Sequence, residues 1–155
     1  MSKNVVYAVE PFGECIEEMK PMLERQWEEM ALHQDKVAFS PDYELYHQLE
    51  GLDKLHLVTA RKGGTLVGYY LAFVNSHPHH KGHLFASNDF VFVEPSCRKG
   101  HTGVGLFKYA EETLAERGVS VVVINTKAHA PFDRLCEYLG YSNEERVYSK
   151  YIKGE

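Results

Sequence analysis

Apolar positions recur at three- and four-residue steps from Glu14 onward: Cys15, Ile16, Met19, Met22, Leu23, Trp27, Met30 and Ala31. That spacing draws one stripe along a helix. Pro21 falls inside the stripe, so the pattern predicts a kink or break near Lys20. A short β-rich run, Asn4 to Val9, precedes the stripe and stops at Glu10-Pro11; it reads as a strand. Ser40-Pro41-Asp42 opens a second helix reaching Leu49, with Ser40 as N-cap, Pro41 at the first helical position and Gly51 as the stop. Leu55 to Arg61 and Thr65 to Asn75 are β-rich runs joined by Lys62-Gly63-Gly64, a tight-hairpin signal. The polar segment Ser76 to Gly82 makes a second hairpin connection into Leu84 to Val93, which Glu94-Pro95 stops.

Beyond a glycine-rich loop, Arg98 to Gly105, an amphipathic helix carries Val104, Phe107, Ala110, Leu114 and Ala115 on one face and ends at Gly118. Val119 to Ile124 is almost wholly apolar, the pattern of a strand buried on both faces. Pro131 to Leu139 reads as a short helix ended by Gly140, and Arg146 to Ile152 as a last strand. The predicted order is β, α, α, β, β, β, α, β, α, β. This is an α/β mixed sheet, mostly antiparallel, with a parallel crossover from Phe90 to Ile124 and helices on its faces. Its 155 residues fit one domain, with no repeat and no linker.

Composition narrows the class without naming a function. The apolar share is 44% and the charged share 25%, which excludes collagen-like, disordered and low-complexity chains. The longest apolar stretch, Leu66 to Val74, is far short of a membrane span, and no secretory signal is expected. Three scattered cysteines (Cys15, Cys97, Cys136) form no framework, so a reducing, cytoplasmic location is expected. The net charge of −5 argues against a nucleic-acid partner. The charge is uneven: residues 1–55 hold twelve acids and five bases, residues 56–155 ten acids and twelve bases. An acidic N-terminal surface would steer a cationic acceptor.

The chemistry concentrates in the loop after Val91-Phe92-Val93. Glycines at a helix N-terminus present backbone N–H groups to one point, and Arg98 and Lys99 add full positive charge; a pyrophosphate suits such a cradle. A phosphate loop of the Walker type fails, because Leu106-Phe107 follow Gly105 where Lys-Ser/Thr is needed. A dinucleotide fingerprint fails at Lys108, where a third glycine is due, and the two hairpins oppose an all-parallel sheet.

The loop resembles the coenzyme A loop of the GNAT N-acetyltransferases. Arg98, Gly103 and Gly105 fill that family's loop positions, Val91-Phe92-Val93 with Pro95 resembles its fourth-strand ending, and Leu135 and Gly140-Tyr141 match its later Leu and Gly-Phe. An Arg98-Lys99-Gly100-x-x-Gly103 run is similar to that of short phage-encoded members. The resemblance implies a GNAT-like acyl-CoA N-acyltransferase fold over residues 1–155. It implies acetyl-CoA as cosubstrate, held by Val91, Phe92, Val93, Arg98, Lys99, Gly100, Gly103, Val104, Gly105 and His129. The backbone of Phe92 and Val93 would hold the pantetheine arm and polarise the thioester carbonyl. The acceptor would be an amine, on a small molecule or a protein lysine, walled by the first helices, and a homodimer is compatible with it. The sequence departs from the family in the loop, which spaces Arg98 and the glycines more widely by one or two extra residues around Gly100 to Thr102, and at two further positions. The family's Asn falls on His129, and its Tyr, which often protonates the departing thiolate, falls on Cys136. A catalytically degenerate GNAT fold that binds coenzyme A or a partner is the alternative.

Asp89 is the candidate base, placed by alternation on one face with Val91 and Val93. Cys136, Tyr138 and Tyr148 compete as the acid; Cys136 could equally be an inert core thiol. His77, His79, His80 and His83 cluster at a hairpin, where convergence on a metal is poor, and no metal site is expected.

Overall fold

The computed structural model describes residues 4–30, 35–128 and 131–154. Its elements are β1 (Val5–Val9), α1 (Phe12–Met30), α2 (Tyr43–Gly51), β2 (Leu55–Lys62), β3 (Thr65–His77), β4 (His80–Val93), α3 (Thr102–Glu116), β5 (Val119–Val123) and α4 (Asp133–Tyr138). A 3-10 turn at Pro95–Cys97 links β4 to α3. The strands lie side by side in chain order, antiparallel from β1 to β4 and parallel between β4 and β5. The mixed α/β sheet with a parallel crossover is the architecture the pattern of positions predicts.

Each sheet face buries its own core. On one side α1 lays Cys15, Ile16, Met19, Met22 and Leu23 against Leu57, Tyr69, Leu71 and Phe92, and α2 covers the margin. On the other, Leu106, Phe107, Ala110 and Leu114 of α3 pack on Val58, Ala60, Tyr70 and Ala72. This two-sided burial explains why Pro21 does not interrupt α1, contrary to expectation. The helix runs through it with the proline on the exposed side, while Met19 and Leu23 are buried to within 1%. Burying large apolar side chains, at about 1.5–3 kcal/mol each, offsets the roughly 3 kcal/mol cost of a proline inside a helix. The N-terminus of α1 is capped from α2, where the Glu50 carboxylate accepts from the N–H groups of Phe12 (2.5 Å) and Gly13 (3.2 Å).

Other local expectations shift. The N-cap of α2 is Asp42, not Ser40: its carboxylate accepts from Leu45 N–H at 3.0 Å. Gly51 stays inside the helix, and the reversal is made by Asp53 at φ 59°. Arg117 holds Asp53 there, donating to its carbonyl (2.6 Å) and carboxylate (3.1 Å). Arg117 also donates to Nδ1 of the buried His56 at 3.2 Å, so the ring's Nε2–H faces Thr113 Oγ1 at 2.8 Å. This network ties the end of α3 to β2. The hairpin at Gly63-Gly64 forms as predicted, with φ of 58° and 81°.

Two strand readings are overturned. β5 is not buried on both faces: it is an edge strand, and Val121 and Val123 are exposed. Arg146 to Ile152 is no strand. It carries no secondary structure, and Val147, Tyr148 and Ile152 are exposed, so nothing among the described residues covers the outer edge of β5.

Candidate active site

The ladder between β4 and β5 is short. It joins residues 84–87 of β4 to residues 119–123 of β5, while β4 itself continues to Val93. Asn88 ends it. Its side-chain amide donates to the Asn125 carbonyl (3.1 Å), and its oxygen accepts from the Asn125 N–H (2.6 Å). A side chain thus replaces the next backbone pair and holds β5 off. Neither asparagine was singled out from sequence, although a polar amide inside an otherwise β-forming run is a usable signal.

At the same place β4 bulges. Leu71 pairs with Phe90 and Ala72 with Asn88, so Asp89 is the extra residue. The bulge cancels the alternation expected from sequence. Asp89 does not share a face with Val91 and Val93, which pack on the α3 side. It turns toward α2, where Tyr46 donates to it at 2.5 Å. Burial raises the Asp89 carboxyl above the usual carboxylate range, and the Tyr46 hydroxyl partly opposes this. Burial and the same contact push the Tyr46 phenol up.

Past the bulge, the direction of each backbone group follows from one bond. Glu94 N–H donates to Val67 O at 2.8 Å, so Glu94 and Phe92 face β3. Val91 and Val93 therefore present their N–H and C=O groups to the open side. Their carbonyls accept from Gln26 Nε2 (2.9 Å) and Arg98 Nε (2.7 Å). The Phe92 ring is buried, with the guanidinium groups of Arg25 and Arg98 at 5.7 and 5.3 Å from its centroid. Arg98 also pairs with Glu29 of α1 at 3.2 Å.

The open edge leads to the start of α3. His101 occupies the N-cap position and makes no side-chain cap bond, and the first intrahelical bond runs from Gly105 N–H to His101 O (2.8 Å). The N–H groups of Thr102, Gly103 and Val104 precede it and point along the helix axis. Among the described residues a Cβ at Gly103 would meet only Leu135 of α4, at 3.8 Å, so these leave space over those amides. Gly105 has a different reason to be glycine. A Cβ there would lie 2.8 Å from Cε2 of Tyr7 and closer still to its Cζ and hydroxyl. Tyr7 of β1 lies against this helix start and donates to Thr102 O at 3.1 Å. Lys99 and Gly100 sit exposed in the loop before α3. His129 lies outside the described residues.

On α4, Cys136 is half-buried, and burial with the nearby Asp133 carboxylate raises its thiol. Tyr138 is 70% exposed with Lys108 Nζ at 5.6 Å from its ring, and Tyr148 is 87% exposed. Tyr141, not picked out as a site residue from sequence, is raised by burial and by Glu111, and it feels Cys136. Of the four hairpin histidines, His77, His79 and His80 gather with ring centroids 5.0 to 6.3 Å apart, and His83 stands apart. His77 and His80 pack on Phe85, and His83 bonds Ser120 at 2.8 Å. Among the described residues, no group of three or more His, Cys, Asp or Glu side chains is arranged to hold a metal ion.

On the α2 side of the bulge lies a cavity of about 340 Å³ walled by Trp27, Phe39, Leu45, Tyr46, Phe73 and Phe90.

A sheet splayed beside a bulged fourth strand, with a glycine-rich helix start at the mouth of the gap, defines an acyl-transferase fold of the coenzyme A-dependent kind. The Acetyltransferase (GNAT) family profile matches residues 16–138, and the chain belongs to that family. Solved structures share the whole fold at low identity. An aminoglycoside acetyltransferase from an uncultured soil metagenomic sample, in complex with sisomicin, superposes with TM-score 0.75 at 15% identity over 97% of each chain. A ribosomal-protein-alanine N-acetyltransferase from Brucella melitensis biovar Abortus 2308 gives 0.71 at 20% identity, covering 97% of this chain and all of that one. A predicted acetyltransferase with acetyl-CoA from Clostridium acetobutylicum gives 0.75 at 11% identity over 96% of each. No curated protein matches by sequence.

Proposed function

We propose that this chain is an acetyl-CoA-dependent N-acetyltransferase that acetylates a primary amine by direct transfer in a ternary complex. The observation that carries this reading is the gap itself. Along β4 the ladder to β5 stops at Ser87, Asp89 bulges out, Val91 and Val93 turn their N–H groups away from β3, and the amides that start α3 follow. When bound, acetyl-CoA supplies an acetyl group whose C–S bond breaks as its carbonyl carbon bonds to the acceptor nitrogen.

The residues present fit that cosubstrate. The N–H groups of Gly103 and Val104 and the helix start would receive the pyrophosphate, with Lys99 exposed in the preceding loop. The N–H groups of Val91 and Val93 extend the pairing of β4 to the pantetheine arm and orient the thioester carbonyl. Asp89 takes a proton from the acceptor ammonium, leaving a neutral amine with a lone pair, and returns it to water. The Cys136 thiol gives a proton to the departing thiolate and recovers one from solvent, to which the acylated nitrogen releases its remaining extra proton. Its raised pKa keeps it protonated near neutrality, as a donor must be.

Arg98 acts on shape rather than on the phosphates. It ties the loop to Val93 O and to α1, which sets the width of the mouth. A reducing, cytosolic setting suits the three free thiols. No helix among the described residues is long and apolar enough to cross a membrane.

Calorimetry with coenzyme A and a thiol-release assay with an amine panel test the reading together. Binding that is abolished by Gly103→Glu, with turnover that needs both acetyl-CoA and an amine, supports it. Coenzyme A binding without turnover of any amine would leave the degenerate, binding-only fold instead.

A further inference from the structure

The cavity beside the bulge is lined in a way that narrows the acceptor. Trp27 and Phe39 stack at 5.9 Å between centroids. Tyr46 stacks against Phe73 (6.0 Å) and Phe90 (5.9 Å) on the opposite side. Ala38, Pro41, Leu45 and Leu49 complete the wall, and among the described residues the lining also includes Ser40 and Asp42. No Lys or Arg occurs among these lining residues. The Tyr46 ring forms one wall, and its hydroxyl reaches the Asp89 carboxylate at 2.5 Å. The cavity is therefore an aromatic slot with one carboxylate, Asp42, in its own lining and a second, Asp89, outside the lining but reached through the Tyr46 hydroxyl.

Resting on the acetyltransferase reading above, we infer that the acceptor is a compact arylalkyl amine, with its ring between Trp27, Phe39 and Phe90 and its amine end toward Tyr46 and Asp89. Three observations favour this over a polyamine or an aminocyclitol sugar. The volume, about 340 Å³, lies at the small end for ligand pockets, enough for a single ring system and a short chain. The lining offers flat π surfaces, which prefer an aromatic partner and also attract a cation. A polycation or a polyhydroxylated sugar would leave several charged or hydroxyl groups against apolar walls without partners, which is costly.

Trp27 is the only tryptophan in the chain, so its emission reports on the slot directly. Phenethylamine, which does not absorb at 295 nm, is titrated into the protein without acetyl-CoA, beside spermidine and kanamycin. Turnover of the same three amines is then measured with acetyl-CoA. The expected result is a saturable change in Trp27 emission with phenethylamine, at least tenfold tighter than with spermidine or kanamycin, and a kcat/KM at least tenfold higher. Leu45→Lys, on the exposed side of α2, places a cation at the mouth and should weaken phenethylamine binding at least tenfold with an unchanged melting temperature. Turnover of spermidine or kanamycin at equal or higher efficiency, with Trp27 silent to phenethylamine, would overturn the aromatic acceptor and leave the acetyltransferase reading standing. Phenethylamine binding with no acetylation of any amine would support the slot and overturn the transfer chemistry.

Discussion

Gly103 and Gly105 stand two residues apart at one helix start and do different work. Gly103 keeps space over the first amides of α3, whereas Gly105 lets Tyr7 lie against the helix. Gly105→Ala should cost about 1–3 kcal/mol, the scale of overpacking a close contact, while Gly103→Ala should leave stability near wild type. Urea denaturation of both variants checks this, and equal losses would mean that the two glycines are interchangeable. Asp89 carries a prediction in pH. Its carboxyl is raised by burial, so the acid limb of kcat/KM should lie above the usual carboxylate range. The Tyr46 hydroxyl stabilises the charged form, so Tyr46→Phe should move that limb further up. Asp89→Asn should lower kcat by about 10²- to 10⁴-fold with little change in coenzyme A affinity. A limb that moves down in Tyr46→Phe, or an Asp89→Asn enzyme of normal rate, removes Asp89 as the base.

Elements here are held at their ends by residues from other elements. Glu50 of α2 caps α1, and Arg117 joins the end of α3 to the turn before β2. His56 lies inside that second joint. Burial and then the Arg117 charge lower its pKa from the ordinary 6.5 to about 4. The proton is thus bound more tightly in the unfolded chain. The stability His56 contributes is complete above about pH 6.5 and is lost as pH falls toward 4, by at most about 3 kcal/mol. Chemical denaturation between pH 7 and 4 should show this loss, and His56→Gln should flatten the slope in that window. An unchanged slope would place the acid sensitivity in other groups. Nothing in the pattern of positions around 50, 53 or 117 discloses these joints, because each depends on a partner 37 to 64 residues away.

Across the whole molecule, the uneven charge resolves into pairing between the two halves. Glu10 and Glu18 meet Arg61, Glu29 meets Arg98, and Asp53 meets Arg117. Arg25 and Glu94 make the reverse pair. Part of the acidic excess expected to steer an acceptor therefore faces the protein's own bases. The exposed pairs, Glu29–Arg98 and Arg25–Glu94, contribute about 0–1 kcal/mol each. The outer edge of β5 sets a second prediction. Hydrogen exchange should find the amides of residues 146–152 among the fastest and those of β2 and β3 among the slowest. Protection of 146–152 equal to that of β5 would show that this segment does pair as a strand.

The chain's own pattern was enough for the parts governed by near neighbours. The Gly63-Gly64 hairpin, the amphipathic α3 and the glycine-rich start of α3 all depend on near neighbours, which a one-dimensional reading captures, and the parallel crossover to β5 follows from the strand–helix–strand order. The family resemblance rests on that same loop, on the strand ending before it, on Leu135 and Gly140-Tyr141, and on the order of the elements. Tertiary structure decided whatever required a partner far along the chain. Pro21 is tolerated because a buried stripe on both sides of it holds α1 to the sheet. Asp89 faces α2, not the side of Val91 and Val93, because one extra residue opposite Leu71 and Ala72 shifts the strand's alternation. The gap opens because Asn88 meets Asn125 across it. Val119 to Val123 is as apolar as a central strand, yet it lies at an edge, because the segment that would cover it does not pair. Side-chain hydrophobicity records what a strand prefers to bury, and only the three-dimensional arrangement determines whether a neighbour is there to bury it.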